Sequence, residues 1–157
     1  MISAGIIVEY NPFHNGHLYH LQQTRKKTNA DVVIAVMSGQ FLQRGEPALV
    51  SKWARTNMAL KAGVDLVIEL PYTFCTQKAE KFAEGAVYLL TSLQADFICF
   101  GSESGNIDTF TNTINFISNH ESDYNRFIRQ FMNEGVSYPK AASLAFQQLA
   151  PSRDLLD

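Results

Sequence analysis

The sequence predicts an α/β fold, a doubly wound parallel sheet with helices on both faces, followed by a helical C-terminal third. Four short apolar runs, typical of buried strands, alternate with longer segments in which apolar residues recur at helical spacing. This alternation favours parallel strands joined by helical crossovers, in the Rossmann-like manner. The apolar fraction of 46% provides enough material for a hydrophobic core in a chain of 157 residues.

The elements of the predicted sheet follow from local signals. Pro12 ends the first strand, Ser51 is a good N-cap, Gly63 a good helix stop, and Pro71 ends the third strand. The predicted strands are Ile6 to Val8, Asp31 to Val36, Val64 to Leu70 and Phe97 to Phe100. The predicted helices between them run from about Asn15 to Thr28, Lys52 to Ala62 and Lys78 to Leu93.

The final third changes character, because apolar residues recur there only at helical spacing. One helix is predicted from Ile107 to Ile117, a second from Tyr124 to Met132, and a third is opened by Ser137 and Pro139. No internal repeat, low-complexity tract or linker interrupts the chain. We therefore predict one domain over residues 1–157.

Composition limits the class of function. The net charge of −2 excludes a chain that binds nucleic acid through its overall charge, so any RNA contact needs a local basic patch. Two cysteines without framework spacing suit a reducing compartment. Neither a signal peptide nor a membrane span is indicated, so we expect a cytoplasmic protein.

The most informative stretch joins the first strand to the first helix and contains His14, Gly16 and His17. A helix N-terminus offers free N–H groups and the positive end of a dipole, which suit a phosphate. Histidines three residues apart can point to one side of the turn and donate hydrogen bonds to charge that develops on a phosphate. Gly16 lets a ligand approach the backbone closely.

Other interpretations of this stretch are surface histidines or a zinc-ligand pair. Zinc needs three or four protein ligands, and no such set can be recognised among His20, His120, Cys75 and Cys99. We therefore predict no protein-bound metal.

Two further loops should lie at the same edge of the sheet, where parallel strands end. Gly101 closes the fourth strand and would let the backbone pass beneath a nucleoside, although an ordinary glycine turn is the alternative. Arg44, Lys52 and Arg55 follow the second strand and could contact phosphate or tRNA, or simply solvate a helix. Trp53 is expected in the core.

The His-x-Gly-His pattern after a first strand resembles the HxGH motif of the nucleotidylyltransferase superfamily. Five blocks in order make the resemblance more specific, and together they look like the bacterial tRNA(Met) cytidine acetate ligase family. The blocks are residues 8–17, residues 37–47, Ser51 to Arg55, Val67 to Pro71 and Phe100 to Glu103. Family members are longer, with a second phosphate motif downstream, so the chain is expected to be an N-terminal portion.

The resemblance implies an HxGH nucleotidylyltransferase fold with strand order 3-2-1-4-5 and an ATP-dependent ligase. ATP and acetate would give acetyl-adenylate and pyrophosphate, and the acetyl group would pass to N4 of the wobble cytidine of elongator tRNA(Met). His14 and His17 would be catalytic, with Mg²⁺ accompanying ATP. The implied ATP-binding residues are Ile7, Val8, Glu9, Tyr10, Asn11, Pro12, Phe13, His14, Asn15, Gly16, His17, Leu18, Tyr19, His20 and Gly101.

Two alternatives remain open at this stage. A nucleotidylyltransferase of cofactor synthesis would use the same histidine loop to join a nucleotide to a phosphorylated acceptor. A non-catalytic module would bind nucleotide or RNA without transferring anything. Pyrophosphate release with acetate, compared with phosphorylated acceptors, separates these possibilities.

Overall fold

A computed structural model describes residues 1–102 and 105–150 of the chain. Residue contacts divide it into two compact units, Met1–Gly101 and a second that begins at Ser102. The assignment of residues 1–157 to one domain therefore stays a prediction. No helix in the described ranges is long and apolar enough to cross a membrane.

The first unit contains a four-stranded parallel sheet with the order β3-β2-β1-β4, in agreement with the predicted order for these strands. The strands are β1 (Ser3–Val8), β2 (Val32–Ser38), β3 (Leu66–Leu70) and β4 (Phe97–Ile98). The helices are α1 (Asn15–Thr28), α2 (Lys52–Ala62), α3 (Tyr72–Cys75) and α4 (Ala79–Ser92).

The doubly wound arrangement is visible in the way β2 is buried. Val33 and Ala35 belong to a core cluster with Leu21 of α1 and Ala59 of α2. Ile34 joins a separate cluster on the opposite face, with residues of α3 and α4. Successive side chains of a strand point to opposite faces, so helices cover both faces of the sheet, as predicted.

Local signals locate the helix ends well. The Ser51 hydroxyl accepts a hydrogen bond from the N–H of Ala54 and caps α2, whose C-terminal Gly63 is left-handed with φ of 107°. Helix α1 has the predicted bounds. The four-residue α3, which follows Pro71 directly, was not predicted, and the predicted β4 is two residues too long.

Within residues 105–150, the second unit contains α5 (Ile107–Asn119), α6 (Glu121–Asn133) and α7 (Tyr138–Leu149), in agreement with the three predicted helices. Its core lies between α6 and α7, where Ile128 packs with the buried small residues Ala141 and Ala145. Asn106 caps α5, because its side-chain oxygen accepts from the N–H of Asp108.

Candidate functional site

The strand order determines where a ligand site should lie. Chain connections run outward from β1 through β2 to β3 and then return to β4 on the other side of β1. Ala4 pairs with Phe97 and Gly5 with Ile98, so β1 and β4 are direct neighbours. In open parallel sheets, ligands bind outside the carboxyl ends of the strands at such a reversal. The two loops that leave this point contain the His14–His17 turn and Gly101.

The two histidines of this turn form the N-terminal cap of α1. The backbone N–H of Gly16 donates to His14 Nδ1 at 3.0 Å, and the backbone N–H of His14 donates to His17 Nδ1 at 3.2 Å. This is a capping box in which imidazoles replace the usual hydroxyl and carboxylate. The rings stack with their centroids 3.7 Å apart.

The capping bonds assign the protons on both rings. A ring nitrogen that accepts from an N–H group carries no proton, so each neutral imidazole has its proton on Nε2. Within the described residues, neither Nε2 has a hydrogen-bond partner. The turn therefore offers two Nε2–H donors beside a helix N-terminus, a set suited to an anion.

The pKa of His17 favours the same protonation state. Burial lowers the pKa of this imidazole below the ordinary histidine value, and His14 and His20 lower it further. At neutral pH His17 is thus uncharged, which its bond from the His14 backbone requires. His20 lies one helical turn farther along α1, and burial lowers its pKa also, although a hydrogen bond with the Cys99 backbone opposes this shift.

Gly16 is needed by the histidines themselves. A Cβ at this position would lie 2.9 Å from Cε1 and 3.1 Å from Nδ1 of His14. Any side chain would therefore push the His14 ring from its capping position. The expected role of Gly16 is to let a ligand approach the backbone, and its contact with the His14 ring is a second reason for a glycine here.

Tyr10 packs against the aromatic rings of the turn. Its ring is 1% exposed and makes edge contacts with Phe13 and His17, with centroids 4.8 Å and 4.9 Å away. Burial raises the pKa of Tyr10 to about 12, so the phenol stays neutral. The residue has a positive φ of 50°, which turns the chain sharply after β1.

Glu9 and Asn11, both predicted ATP-binding residues, use their side chains to hold the loop that follows β2. Glu9 Oε1 accepts from the backbone N–H of Gln43 at 2.7 Å, and Asn11 Oδ1 accepts from that of Leu49 at 2.7 Å. The other members of the predicted set lie along β1, the turn and the first turns of α1. Gly101 is exposed, and a Cβ there would meet open space.

Arg55 does not belong to an exposed cation cluster, contrary to the prediction. Its side chain is fully buried, and Nη1 donates to the carbonyl oxygens of Glu9 at 2.7 Å and Ser38 at 3.1 Å. Nη2 donates to the Gly39 carbonyl, and Nε to the Val50 carbonyl at 3.2 Å. The guanidinium thus joins the ends of β1 and β2 and is not available to phosphate or tRNA.

The other two predicted cations differ from each other. Lys52 Nζ is 2.6 Å from Glu69 Oε2, so its charge is already paired. Arg44 is exposed at the tip of the loop, and its guanidinium has no partner in the part of the chain that the structure describes. Trp53, expected in the core, is 72% exposed and lies beneath the Lys52 ammonium at 5.2 Å. Helix α2 buries its other face, through Arg55 and Ala59.

Comparison with known proteins agrees with this geometry. A protein family described as HIGH Nucleotidyl Transferase matches residues 1–156. The chain belongs to this family. The match includes the His14–His17 turn and all four strands.

Individual relatives narrow the comparison. The tRNA(Met) cytidine acetate ligase of Halalkalibacterium halodurans is 57% identical over 157 residues, which are 100% of this chain and 38% of that protein. The protein of the same name from Bacillus subtilis is 52% identical, with the same coverage of both chains. The chain thus spans well under half the length of these relatives.

A solved structure shows the same fold. Thermotoga maritima TmcAL bound with alpha-thio ATP superposes with a TM-score of 0.83 at 45% sequence identity. The match covers 94% of this chain and 36% of the Thermotoga chain. Both the sheet and the helical C-terminal portion predicted from the sequence are confirmed.

Proposed function

We propose that this chain is the nucleotide-activating part of an ATP-dependent tRNA(Met) cytidine acetate ligase. The observation that carries the proposal is the pair of Nε2–H donors that His14 and His17 present at the N-terminus of α1, at the reversal of strand order. Relatives that are more than half identical bear this name, and a similar chain binds an ATP analogue.

The first step needs no protein nucleophile. An acetate oxygen attacks the α-phosphorus of ATP, the P–O bond to the leaving group breaks, and pyrophosphate departs with the electron pair. Catalysis then consists of positioning and stabilisation of developing negative charge. His14 and His17 donate to the α-phosphate and to the bridging oxygen, and the positive end of the α1 dipole lies beside the same charge.

The second step forms the modified base. The N4 amine of the wobble cytidine attacks the acetyl carbonyl carbon of acetyl-adenylate, and an N–C bond forms. The C–O bond to the phosphate breaks, AMP leaves with the electron pair, and N4 releases one proton. Elongator tRNA(Met), acetate and ATP are the expected partners, in the cytoplasm.

Magnesium is expected with ATP, and the phosphates of the nucleotide would be its main ligands. Among the described residues, no group of three His, Cys, Asp or Glu side chains can hold a metal ion. The nearby Glu9 carboxylate accepts from the Gln43 backbone N–H, so one of its oxygens already has a partner. When bound, Mg²⁺ neutralises phosphate charge.

The deciding experiment is isotope exchange between pyrophosphate and ATP in the full-length protein, with and without acetate. Exchange that depends on acetate supports activation of acetate as an adenylate. Exchange that is absent with acetate but appears with a phosphorylated acceptor would support nucleotidyl transfer of the cofactor-synthesis type and overturn the proposal.

A further inference from the structure

A second opening lies at the carboxyl edge of the sheet, where β2 and β3 end. It is a cavity of about 200 Å³ whose lining includes Gly39, Phe41, Glu69 and Tyr72. Pockets for drug-sized ligands usually measure roughly 300–1,000 Å³. This cavity is therefore sized for a single ring or a small group and not for a whole nucleotide.

The walls of this cavity suit a flat ring. Phe41 and Tyr72 meet edge to face, with centroids 5.7 Å apart and planes at 72°. Tyr72 is 63% exposed although it lines the cavity, so much of its ring is uncovered by protein. Exposed aromatic rings of this kind are the platforms on which unpaired nucleobases stack.

Glu69 determines which kind of ligand the cavity accepts. Its Oε2 is bonded to Lys52 Nζ at 2.6 Å, and its Oε1 lies against Gly39, where a Cβ would collide with it. A carboxylate has only acceptor sites. A ligand beside it must bring a hydrogen-bond donor, and acetate, itself an anion, is disfavoured.

The cavity is fixed relative to the end of β1. The Cys75 thiol donates to the Phe41 carbonyl at 2.9 Å, which anchors the aromatic wall. Arg55 donates both to the Gly39 carbonyl in the cavity wall and to the Glu9 carbonyl just after β1. One buried side chain thus joins this cavity to the strand that leads into the histidine turn.

We infer that this cavity binds the cytosine base that receives the acetyl group, with its exocyclic amine donating to Glu69 and its ring stacking on Tyr72. This inference rests on the proposed function. Enzymes that modify a base take it out of the stack and recognise its edge by hydrogen bonds. A carboxylate is the expected acceptor for cytosine N4, whereas uracil presents an acceptor, O4, at that position and is repelled.

The test measures binding of two anticodon stem-loop RNAs, with cytidine or uridine at the wobble position, to the full-length protein. The wild type should prefer the cytidine RNA by about 5- to 100-fold, the range of one good base contact. Glu69→Gln should reduce that preference to about twofold or less, because a carboxamide also donates to O4. Glu69→Asp keeps an acceptor and should retain the preference in part.

Two further variants complete the design. Tyr72→Ala should weaken binding of both RNAs by about 5- to 100-fold without changing their ratio, since stacking does not distinguish the bases. Glu84→Gln is the matched control, because Glu84 also pairs with a lysine, Lys81, but on the exposed surface of α4. It should leave both affinities and their ratio at the wild-type values.

Several results would overturn the inference. They are equal binding of both RNAs by the wild type, an unchanged preference in Glu69→Gln, and wild-type affinity in Tyr72→Ala. Failure of the proposed function looks different, because the wild type would then lack acetate-dependent exchange whatever its RNA preference. A Glu69→Gln protein that fails to fold is recognised by its thermal unfolding, and Glu69→Asp then decides.

Discussion

The His14–His17 turn and the loop after β2, residues 39–50, lie at the same edge of the sheet but are held in different ways. The turn organises itself: two backbone N–H groups and two imidazoles within four residues cap one another. The loop is held by distant groups, the side chains of Glu9, Asn11, Arg55 and Cys75. The turn leaves two imidazole donors free for a ligand, whereas the loop uses several of its backbone groups to hold itself in place.

The largest effect is expected from His17→Ala. Loss of one preorganised donor should lower acetate-dependent pyrophosphate exchange by about 100- to 1,000-fold. The ring lies in the capping box and not in the central core, so the protein should stay folded by circular dichroism. His120→Ala, which removes an exposed histidine of the second unit, is the control. Wild-type exchange in His17→Ala would refute the role of the turn.

Gly16→Ala tests whether the turn depends on close packing. The added Cβ would displace the His14 ring, and misplacement by about 1 Å can cost about 100-fold in rate. We expect acetate-dependent pyrophosphate exchange to fall by about 10- to 100-fold. The free energy of unfolding in urea should change little, because alanine favours helices. Full activity would show that the His14 position is not critical.

Arg55→Lys tests the opposite character of the loop. Lysine cannot reproduce the forked donors, and each buried carbonyl left unpaired costs about 1–3 kcal/mol. The free energy of unfolding in urea should fall by about 2–4 kcal/mol. If Arg55→Lys were as stable as the wild type but bound ATP more weakly, the structural role of Arg55 would be contradicted and the predicted phosphate contact would be supported.

Arg44→Ala is the counterpart of that experiment. The side chain is exposed and has no partner among the described residues, so the unfolding free energy should change by less than about 0.5 kcal/mol. If Arg44 contacts phosphate, tRNA affinity should fall by up to about tenfold, and the dependence on salt should become shallower. Unchanged affinity at low salt would remove Arg44 from the interface.

The smallest effect concerns pH. Protonation of His17 Nδ1 would break the hydrogen bond that it accepts from the His14 backbone. Because the pKa of His17 is lowered, this protonation occurs below pH 6.5, the ordinary histidine pKa. Exchange should therefore persist below pH 6.5 and fall at more acidic pH. His20→Gln removes one cause of the lowering, so the acid limb of the pH–rate profile should move to higher pH. If the acid limb of the pH–rate profile did not move in His20→Gln, electrostatic coupling between His17 and His20 would be excluded.

The lowered pKa also has a consequence for stability. Because the folded state resists protonation of His17 more than the unfolded chain does, the unfolded chain binds more protons as the pH falls below about 6.5. His17 should therefore make folding less favourable in that range. Comparing urea unfolding of the wild type and His17→Asn at pH 7.5 and 5.5 measures this contribution.

The sequence alone determined the features that depend on neighbouring residues. Strand and helix alternation, the caps at Ser51 and Gly63, and the strand-to-helix position of the histidine turn all follow from a few adjacent side chains. The wider α/β architecture follows too, because right-handed crossovers leave few alternatives. The five ordered blocks specified the family, since they sample most of the chain.

Only the tertiary structure decided what the polar and aromatic residues of α2 do. Arg55 resembles a surface cation in the sequence, and nothing local reveals that three carbonyl-bearing segments converge on it. Trp53 resembles a core residue in the sequence, yet it lies on the outer side of α2. Burial depends on which distant strands and helices cover a residue, and this information resides in long-range packing.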